Sequence, residues 1–202
     1  MIELTNVSKT FEETVLFDKL NLRIKTGEFV VFSGPSGCGK TTLLNMIGAL
    51  EPFDRGSILV DGIDISKQKN RLLYFRNTVG FVFQNFVLME EKTVRQNLEL
   101  IQPKNRTKIS PEKALELVKL DGKMDNKVHT LSGGEQQRVA LARLLIKKCS
   151  LVLADEPTGS LDRENAAVVV SILKILNKMG KTIILVTHDE ELKKVGDRVI
   201  EL

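Results

Sequence analysis

The stretch SGPSGCGKTTLL, at positions 33–44, constrains the fold of this chain more than any other part of its sequence. It follows the apolar run Phe29–Phe32 and contains the pattern G-x-x-x-x-G-K-T from Gly34 to Thr41. Between a buried strand and a helix, this pattern is typical of a phosphate-binding loop. The sequence therefore predicts an α/β fold in which this loop joins a strand to a helix.

Each residue type in the loop suits phosphate binding. Its glycines accept positive φ and carry no side chain, so successive backbone N–H groups can curve around a phosphate. The following helix adds its positive dipole end, Lys40 reaches the β- and γ-phosphates, and Thr41 ligates Mg²⁺. A glycine-rich turn that matches by chance is the alternative, but the flanking strand and helix argue against it. The predicted nucleotide-binding residues here are Ser33, Gly34, Pro35, Ser36, Gly37, Cys38, Gly39, Lys40, Thr41 and Thr42.

A pair of carboxylates is predicted to face this loop, in SLVLADEP at residues 150–157. The apolar run is typical of a strand buried on both faces. Asp155 and Glu156 then stand at the carboxyl edge of the sheet, where α/β folds bind ligands. We predict that Asp155 holds Mg²⁺ through water and that Glu156 polarises an attacking water as general base. An ordinary acidic loop is the alternative, but together with the phosphate loop the pair indicates an NTPase.

Alternating apolar and amphipathic segments predict one α/β domain over residues 1–202, with a mostly parallel central sheet. We expect residues 1–84 and 128–202 to form the catalytic core, its amino-terminal strands being antiparallel and added to the sheet edge. We expect residues 85–127, which show one amphipathic helix and no clear buried strand, to form a helical insert. Predicted strands are 2–7, 20–24, 28–33, 57–60, 79–83, 151–154, 182–186 and 198–202, and predicted helices are 40–49, 112–120, 134–147, 163–178 and 189–194.

The composition of the chain indicates its cellular compartment and the kinds of partner it can bind. The chain has 30 Lys and Arg against 26 Asp and Glu, for a net charge of +4, and the charges are scattered. Since it also has no Trp and a single Tyr, we expect no nucleic-acid binding. The amino terminus lacks the zones of a signal peptide, and no apolar run approaches the ~20 residues of a membrane span. Cys38 and Cys149 form no motif, so we expect a reduced, cytoplasmic setting.

The segment LSGGEQQR, residues 131–138, predicts a second anion site. Ser132 and Glu135 have the S-x-x-E spacing of a capping box, which by itself explains a helix that begins here. Capping does not require two glycines, however. Ser132, Gly133 and Gly134 leave bare N–H groups at a helix N-terminus, where anions bind. Two chains placed head to tail could hold ATP between the loop of one and this helix of the other.

Taken in order, six motifs resemble those of the ATPase domain of ATP-binding cassette (ABC) proteins, over essentially the whole chain. They are GPSGCGKTT (Walker A), Gln84 in FVFQ (Q-loop), LSGGEQQR (signature), LVLADE (Walker B), Ser160-Leu161-Asp162 (D-loop) and His188 in VTHD (H-loop). A lone phosphate loop is moderately specific, whereas six motifs in the family's order are highly specific. The resemblance implies a P-loop NTPase with an N-terminal antiparallel β subdomain and a helical insert, which hydrolyses ATP with Mg²⁺.

The resemblance also implies roles for matching residues. Gln84 contacts Mg²⁺ or the attacking water, and His188 contacts the γ-phosphate and positions the water beside Glu156. Asp162 crosses the dimer interface, while Ser132, Gly133 and Gly134 bind the partner's γ-phosphate. Phe11 takes the place of an aromatic that stacks on adenine, more commonly a Tyr. From the residues alone, Phe11 could equally be a core residue, His188 a buried cap and Gln84 the end of an edge strand.

By the same resemblance, the partners are a second copy of the chain and a membrane permease on a separate chain. The apolar stretch Phe86–Met89 is expected to dock that permease, unless it is the core of the helical insert. Such a subunit would lie on the inner face of the membrane. The alternative is a soluble ATPase of this family. A DNA-maintenance ATPase would need a long coiled coil between Lys40 and Ser132, and a translation factor usually carries two cassettes in one chain.

Two details refine the resemblance. FVFQNFVLMEEKTVRQNLEL and LVLADEPTGSLD resemble the subgroup of macrolide-export, lipoprotein-release, antimicrobial-peptide and cell-division subunits. In that subgroup the permease exports a peptide, drug or lipoprotein, or transmits motion across the membrane. The sequence ends at DRVIEL, where relatives usually continue into a further strand and helix, which leaves open any dimer contact made by such a segment.

Overall fold

A computed structural model describes residues 1–83, 85–159 and 161–202. The sequence predictions for Gln84 and for Ser160 therefore lie outside the described residues. The strands are β1 Ile2–Phe11, β2 Thr14–Ile24, β3 Phe29–Ser33, β4 Arg55–Val60, β5 Ile63–Asp64, β6 Val79–Val82, β7 Leu151–Asp155, β8 Thr182–Val186 and β9 Arg198–Glu201. The α-helices are α1 Lys40–Ile47, α2 Gln68–Asn77, α3 Val94–Glu99, α4 Pro111–Leu117, α5 Gly133–Ile146, α6 Arg163–Lys178 and α7 Glu190–Lys193.

Five parallel strands form the central sheet in the order β6-β7-β8-β3-β9. Every residue of β3 and β8 is buried, as the continuous apolar runs predict for strands covered on both faces. Successive residues of β3 face opposite sides: Phe29 and Val31 belong to the core cluster that includes residues of α5 and α6, whereas Val30 and Phe32 belong to the cluster that includes residues of α1. The predicted mostly parallel sheet is confirmed.

The antiparallel strands form a separate sheet in the order β2-β1-β4-β5. The expectation that they extend the edge of the parallel sheet is therefore wrong in this detail. Ile2, Leu4 and Val7 on β1 bury against the same cluster as Leu43 and Leu44 of α1. These residues give the second sheet an apolar face, and this face is buried over α1. A lone strand at the edge of the parallel sheet could not bury such a face.

The chain between β6 and β7 contains helices and isolated bridges over its described residues. The predicted amphipathic helix is α4, capped by Ser110, whose hydroxyl accepts from the N–H of Lys113. The unpredicted α3 begins with a capping box between Thr93 and Gln96. Both pack on α5, as expected of a helical insert, although its boundaries at 85 and 127 stay a prediction.

Among the described residues, no helix is long and apolar enough to cross a membrane.

Candidate functional site

The predicted site residues converge because three neighbouring strands end at the same edge of the parallel sheet. Strand β3 leads into the loop of Gly34–Gly39, β7 leads into Glu156, and β8, which lies between them, leads to Thr187 and His188. Ligand sites of α/β sheets form at this carboxyl edge. The fold thus brings together the loop, the acidic pair and the histidine, which are far apart in sequence.

The phosphate loop curves as its glycines require. Gly34, Gly37 and Gly39 have φ values of 143°, 84° and 100°, in the region that L side chains disfavour. A Cβ on Gly34 would also lie 2.7 Å from the carbonyl oxygen of Leu202. The Lys40 ammonium donates to the carbonyl oxygens of Gly34 and Pro35, both at 2.8 Å. These two contacts hold the positive charge over the loop, where a phosphate is expected.

The remaining predicted loop residues lie around this curve. Ser33 is buried, and among the described residues its hydroxyl has no hydrogen-bond partner. Pro35 and Ser36 are exposed, and Cys38 and Thr42 are half-buried. A buried polar atom without a partner is uncommon in native proteins and suits a place where a ligand binds.

Thr41 and Asp155 bring two hard oxygen atoms together. The Thr41 hydroxyl donates to Oδ1 of Asp155 at 3.1 Å. Burial raises the pKa of Asp155, and the charge of Glu156 raises it further, while Thr41 and Lys40 oppose this. A cation would relieve the cost of this buried charge, and Mg²⁺ is typically bound by one or two protein oxygens together with phosphates. The donor set therefore fits Mg²⁺, although no cluster of three or more His, Cys, Asp or Glu occurs among the described residues.

Glu156 and His188 form a direct pair, with Nδ1 of His188 lying 2.8 Å from Oε1 of Glu156. His188 is exposed, with 77% of its side chain accessible, so the alternative of a buried capping histidine is wrong. Glu156 has a φ of 43°, which is unusual for a long side chain, and its N–H donates to the carbonyl of Val186. Such strained residues cluster at functional sites.

The second anion site has the predicted helix N-terminus. Ser132 caps α5 and forms a reciprocal capping box with Glu135, whose pKa the Ser132 N–H lowers. Gly134 lies against Asn165 of α6, whereas Gly133 faces the ring of Phe86 with space for a methyl group. Asp162 caps α6, accepting from the N–H of Asn165 at 2.8 Å, which lowers the pKa of Asp162. The signature helix and the D-loop are therefore joined through one asparagine.

Phe11 is 46% exposed at the end of β1, so the alternative of a core residue is wrong. The ammonium of Lys9 lies 4.4 Å from the centre of its ring, and Lys9 also pairs with Glu51 at 2.6 Å. Phe11 thus offers an accessible aromatic face supported by a cation.

Sequence reasoning missed Asn165, Arg138 and Lys9. Arg138 donates a hydrogen bond to Oδ1 of Asn165, and Asn165 donates two hydrogen bonds to Asp162, from its backbone N–H and from its side-chain amide. The spacing of Asp162 and Asn165 is that of a helix cap, which could have revealed their pairing. Arg138 lies in LSGGEQQR, but no sequence signal predicts its contact with Asn165, or that of Lys9 with Phe11, because these contacts depend on the folded structure.

A phosphate loop, an acidic pair and a histidine at one sheet edge define the P-loop NTPase class. Within that class, a family model described as ABC transporter matches residues 17–159. The lipoprotein-releasing system ATP-binding protein LolD of Bacteroides fragilis is 39% identical over 100% of this chain and 97% of its own length. The glutamine transport ATP-binding protein GlnQ of Bacillus subtilis is 41% identical over 99% of this chain and 86% of its own length.

A solved structure supports the same assignment. The ATP-binding cassette MJ0796, described as a dimer in a post-hydrolysis state bound to ADP and Pi, superposes with a TM-score of 0.87. It is 38% identical, and the match covers 100% of this chain and 94% of that one. The chain belongs to the ABC transporter family, and it is an ATP-binding and ATP-hydrolysing subunit.

Proposed function

We propose that this subunit hydrolyses ATP with Glu156 as general base and His188 as its partner, and that it thereby drives a separate membrane permease. The observation that carries the assignment of residues is the 2.8 Å contact between Glu156 and His188 beside the phosphate loop. Glu156 accepts a proton from the attacking water, and His188 orients the carboxylate and contacts the γ-phosphate. Gln84 is proposed to contact the same water or Mg²⁺.

Binding of ATP is assigned to the residues of the loop and of β1. Lys40, now held by the carbonyls of Gly34 and Pro35, exchanges them for β- and γ-phosphate oxygens. Phe11 stacks on adenine, and the backbone N–H groups of Ser33–Thr42, other than Pro35, hold the phosphates. Thr41 and Asp155, with Gln84, would hold Mg²⁺, which when bound neutralises charge that develops on the phosphates.

A head-to-tail dimer would complete each site. The N-terminus of α5 lies in a capping box that leaves the N–H groups of Gly133 and Gly134 for the γ-phosphate of the partner subunit. Asp162 would cross the interface beside it. The dimeric cassette to which this chain is similar supports this arrangement. Hydrolysis removes a phosphate that both subunits hold, so the pair reopens, and this change moves the permease.

The permease is proposed to dock near Phe86–Met89. Val87 and Met89 are exposed, whereas Leu88 packs on the core of the helical region, so the stretch serves both packing and docking. Similarity to a lipoprotein-release subunit and the quoted motifs favour export, or transmission of motion across the membrane. Because a glutamine transport subunit is 41% identical and the lipoprotein-release subunit 39%, the motifs rather than overall identity carry this finer assignment. The subunit is proposed to lie at the cytoplasmic face of the membrane.

The test is a Glu156→Gln variant, assayed for ATP binding and turnover and then used as bait. We expect ATP to bind, turnover to fall by about 100-fold or more, and an integral membrane protein to be recovered from gently solubilised membranes of the same cell. Turnover close to wild type would exclude Glu156 as the base. Recovery of ribosomes or DNA-bound proteins without a membrane partner would favour the soluble ATPases instead.

A further inference from the structure

A buried lysine and a buried cysteine are in contact at the amino edge of the parallel sheet. Cys149 lies two positions before β7, and Lys181 lies one position before β8. Lys181 is 5% exposed and Cys149 is 9% exposed, and Nζ of Lys181 lies 3.2 Å from Sγ of Cys149. The nucleotide site is at the opposite edge of the sheet, so the chemistry proposed for Glu156 does not use this pair.

The ammonium group of Lys181 has three N–H donors, and three acceptors surround it. Two are backbone carbonyls, that of Cys149 at 2.7 Å and that of Lys147 at 3.2 Å, and the third is the Cys149 sulfur. Among the described residues, no carboxylate lies within the 4.0 Å of an ion pair with Lys181. Of the three acceptors, the sulfur is therefore the one that can carry negative charge beside this cation, and negative sulfur is the form that attacks a peroxide.

Backbone hydrogen bonds hold the two residues beside each other. The N–H of Thr182 donates to the carbonyl of Ser150 at 2.8 Å, and the N–H of Lys181 donates to the carbonyl of Leu176 at 3.2 Å. The side chain of Asn177 donates to the carbonyl of Lys181 at 3.1 Å. Reacting atoms that are held about 3–3.5 Å apart are already in a near-attack arrangement. The lysine nitrogen is therefore placed to form a bond to the sulfur once the sulfur becomes electrophilic.

We propose that Cys149 and Lys181 form an oxidative cross-link between Sγ and Nζ when a hydroperoxide reaches the thiol. The O–O bond of the peroxide breaks, the sulfur loses two electrons, and the thiol becomes a sulfenic acid with release of water or an alcohol. The lysine nitrogen then attacks the sulfur: an S–N bond forms, the S–O bond breaks, and water and one proton of the ammonium leave. The product is a sulfenamide, which sulfenic acids also form with backbone nitrogens. Two equivalents of a small thiol return the free amine and the Cys149 thiol and become one disulfide.

The second cysteine of the chain provides an internal comparison. Cys38 follows β3 at the carboxyl edge of the sheet, whereas Cys149 precedes β7 at the amino edge. Because a strand of five residues spans roughly 17 Å, the two cysteines are too far apart for a disulfide within the folded chain. Cys38 also has a lysine nearby, but Nζ of Lys40 lies 3.7 Å from its sulfur, beyond the near-attack range. We therefore expect a cross-link at Cys149 and none at Cys38.

The test treats the reduced, full-length protein with hydrogen peroxide, alkylates the remaining thiols, digests without reductant and maps the peptides by mass spectrometry. We expect the peptides of Cys149 and Lys181 to be joined with the loss of two hydrogen atoms, and the trypsin site after Lys181 to be blocked. Excess dithiothreitol should restore the separate peptides. The same treatment of the protein in denaturant is the matched control. Because unfolding separates the two residues, linkage there should be about tenfold lower or less.

Two variants locate the bond. Lys181→Arg keeps the cation but removes the amine nucleophile, so Cys149 should be oxidised to the sulfinic acid without a cross-link. The link closes a loop of roughly 30 residues, so the Tm of the oxidised protein should rise by about 5–15 °C, and this rise should be absent in Cys149→Ser.

The digest of the unmutated protein decides the proposal even where a variant impairs folding. Joined peptides that retain one further oxygen atom would support the same cross-link with an S–O–N connection. Sulfinic or sulfonic acid at Cys149 without joined peptides would overturn the proposal, and so would equal linkage in the folded and the denatured protein.

Discussion

Alanine at Gly134 is expected to destabilise the protein, whereas alanine at Gly133 is not. A Cβ at position 134 would lie 2.6 Å from Cγ of Asn165 and 2.7 Å from its Oδ1, closer than real Cβ atoms approach. A Cβ at position 133 would meet only the ring of Phe86, at 3.7 Å. Both residues lie in the first turn of α5, so the helix-propensity gain of at most ~1 kcal/mol is common to the two variants.

Asn165 is not free to move away from the new methyl group. Its backbone N–H donates to Asp162 at 2.8 Å, its side-chain amide donates to Asp162 at 2.7 Å, and Arg138 donates to its oxygen. Overpacking of this kind costs about 1–3 kcal/mol. Because the gain in helix propensity is common to both variants, we expect Gly134→Ala to be about 1–3 kcal/mol less stable than Gly133→Ala.

Thermal unfolding without nucleotide measures the difference. For a chain of this length, each kcal/mol shifts Tm by about 2–4 °C, so the Tm of Gly134→Ala should lie about 2–12 °C below that of Gly133→Ala, which stays level with the parent protein or rises. Adding Asn165→Ala should recover part of the loss at position 134 and none at position 133. Equal Tm values for the two glycine variants would refute the proposed contact between α5 and the D-loop.

Three further predictions concern single side chains. Asp155→Asn should raise the Tm of the nucleotide-free protein at neutral pH, since burial raises the pKa of Asp155 and its ionised form costs stability. This gain should shrink as the pH falls through the raised pKa and vanish below the ordinary pKa of an aspartate, and ATP turnover should be lost. Tyr74 is the chain's single tyrosine, its hydroxyl donates to the Ile47 carbonyl at 2.7 Å, and burial raises its pKa. The hydroxyl of Tyr74 therefore stays protonated in the folded state. The free energy of unfolding should decline as the pH rises above about 10, and tyrosinate absorbance should appear only when the protein unfolds. Phe11→Ala should weaken ATP binding by about tenfold or more and Phe11→Tyr should not, as a fluorescent nucleotide titration can test; equal affinities would remove Phe11 from the adenine site.

Much of the fold could be predicted because the buried strands are continuously apolar. The helix α2 could not, because Leu72 and Leu73 are both 58% exposed and only Tyr74 is buried, so its sequence has no apolar stripe. The separate antiparallel sheet was also missed, since strand signals do not reveal which sheet a strand joins. Strands β1 and β2 extend further than predicted because their additional residues, 8–11 and 14–19, pair with each other.

Some features of the site could be predicted from the sequence and others could not. Residues within motifs could be predicted because strand ends fix their position, and the structure brings Lys40, Thr41, Asp155, Glu156 and His188 to one edge. The left-handed conformation of Glu156 and the exposure of His188 could not be predicted, because both depend on how β7 and β8 end against each other. The roles of these residues in catalysis stay proposals until the variants are measured.

Helix α5 carries Ser132 at one end and leads into Lys147 at the other, over 14 residues without a proline or an internal glycine beyond its first turn. It therefore behaves as a stiff rod of roughly 21 Å. Because such a rod bends little, a tilt of about 5° at its carboxyl end displaces its glycine end by about 2 Å, enough to break a hydrogen bond. The length of α5 therefore sets how far a tilt at its carboxyl end displaces the residues at its amino end.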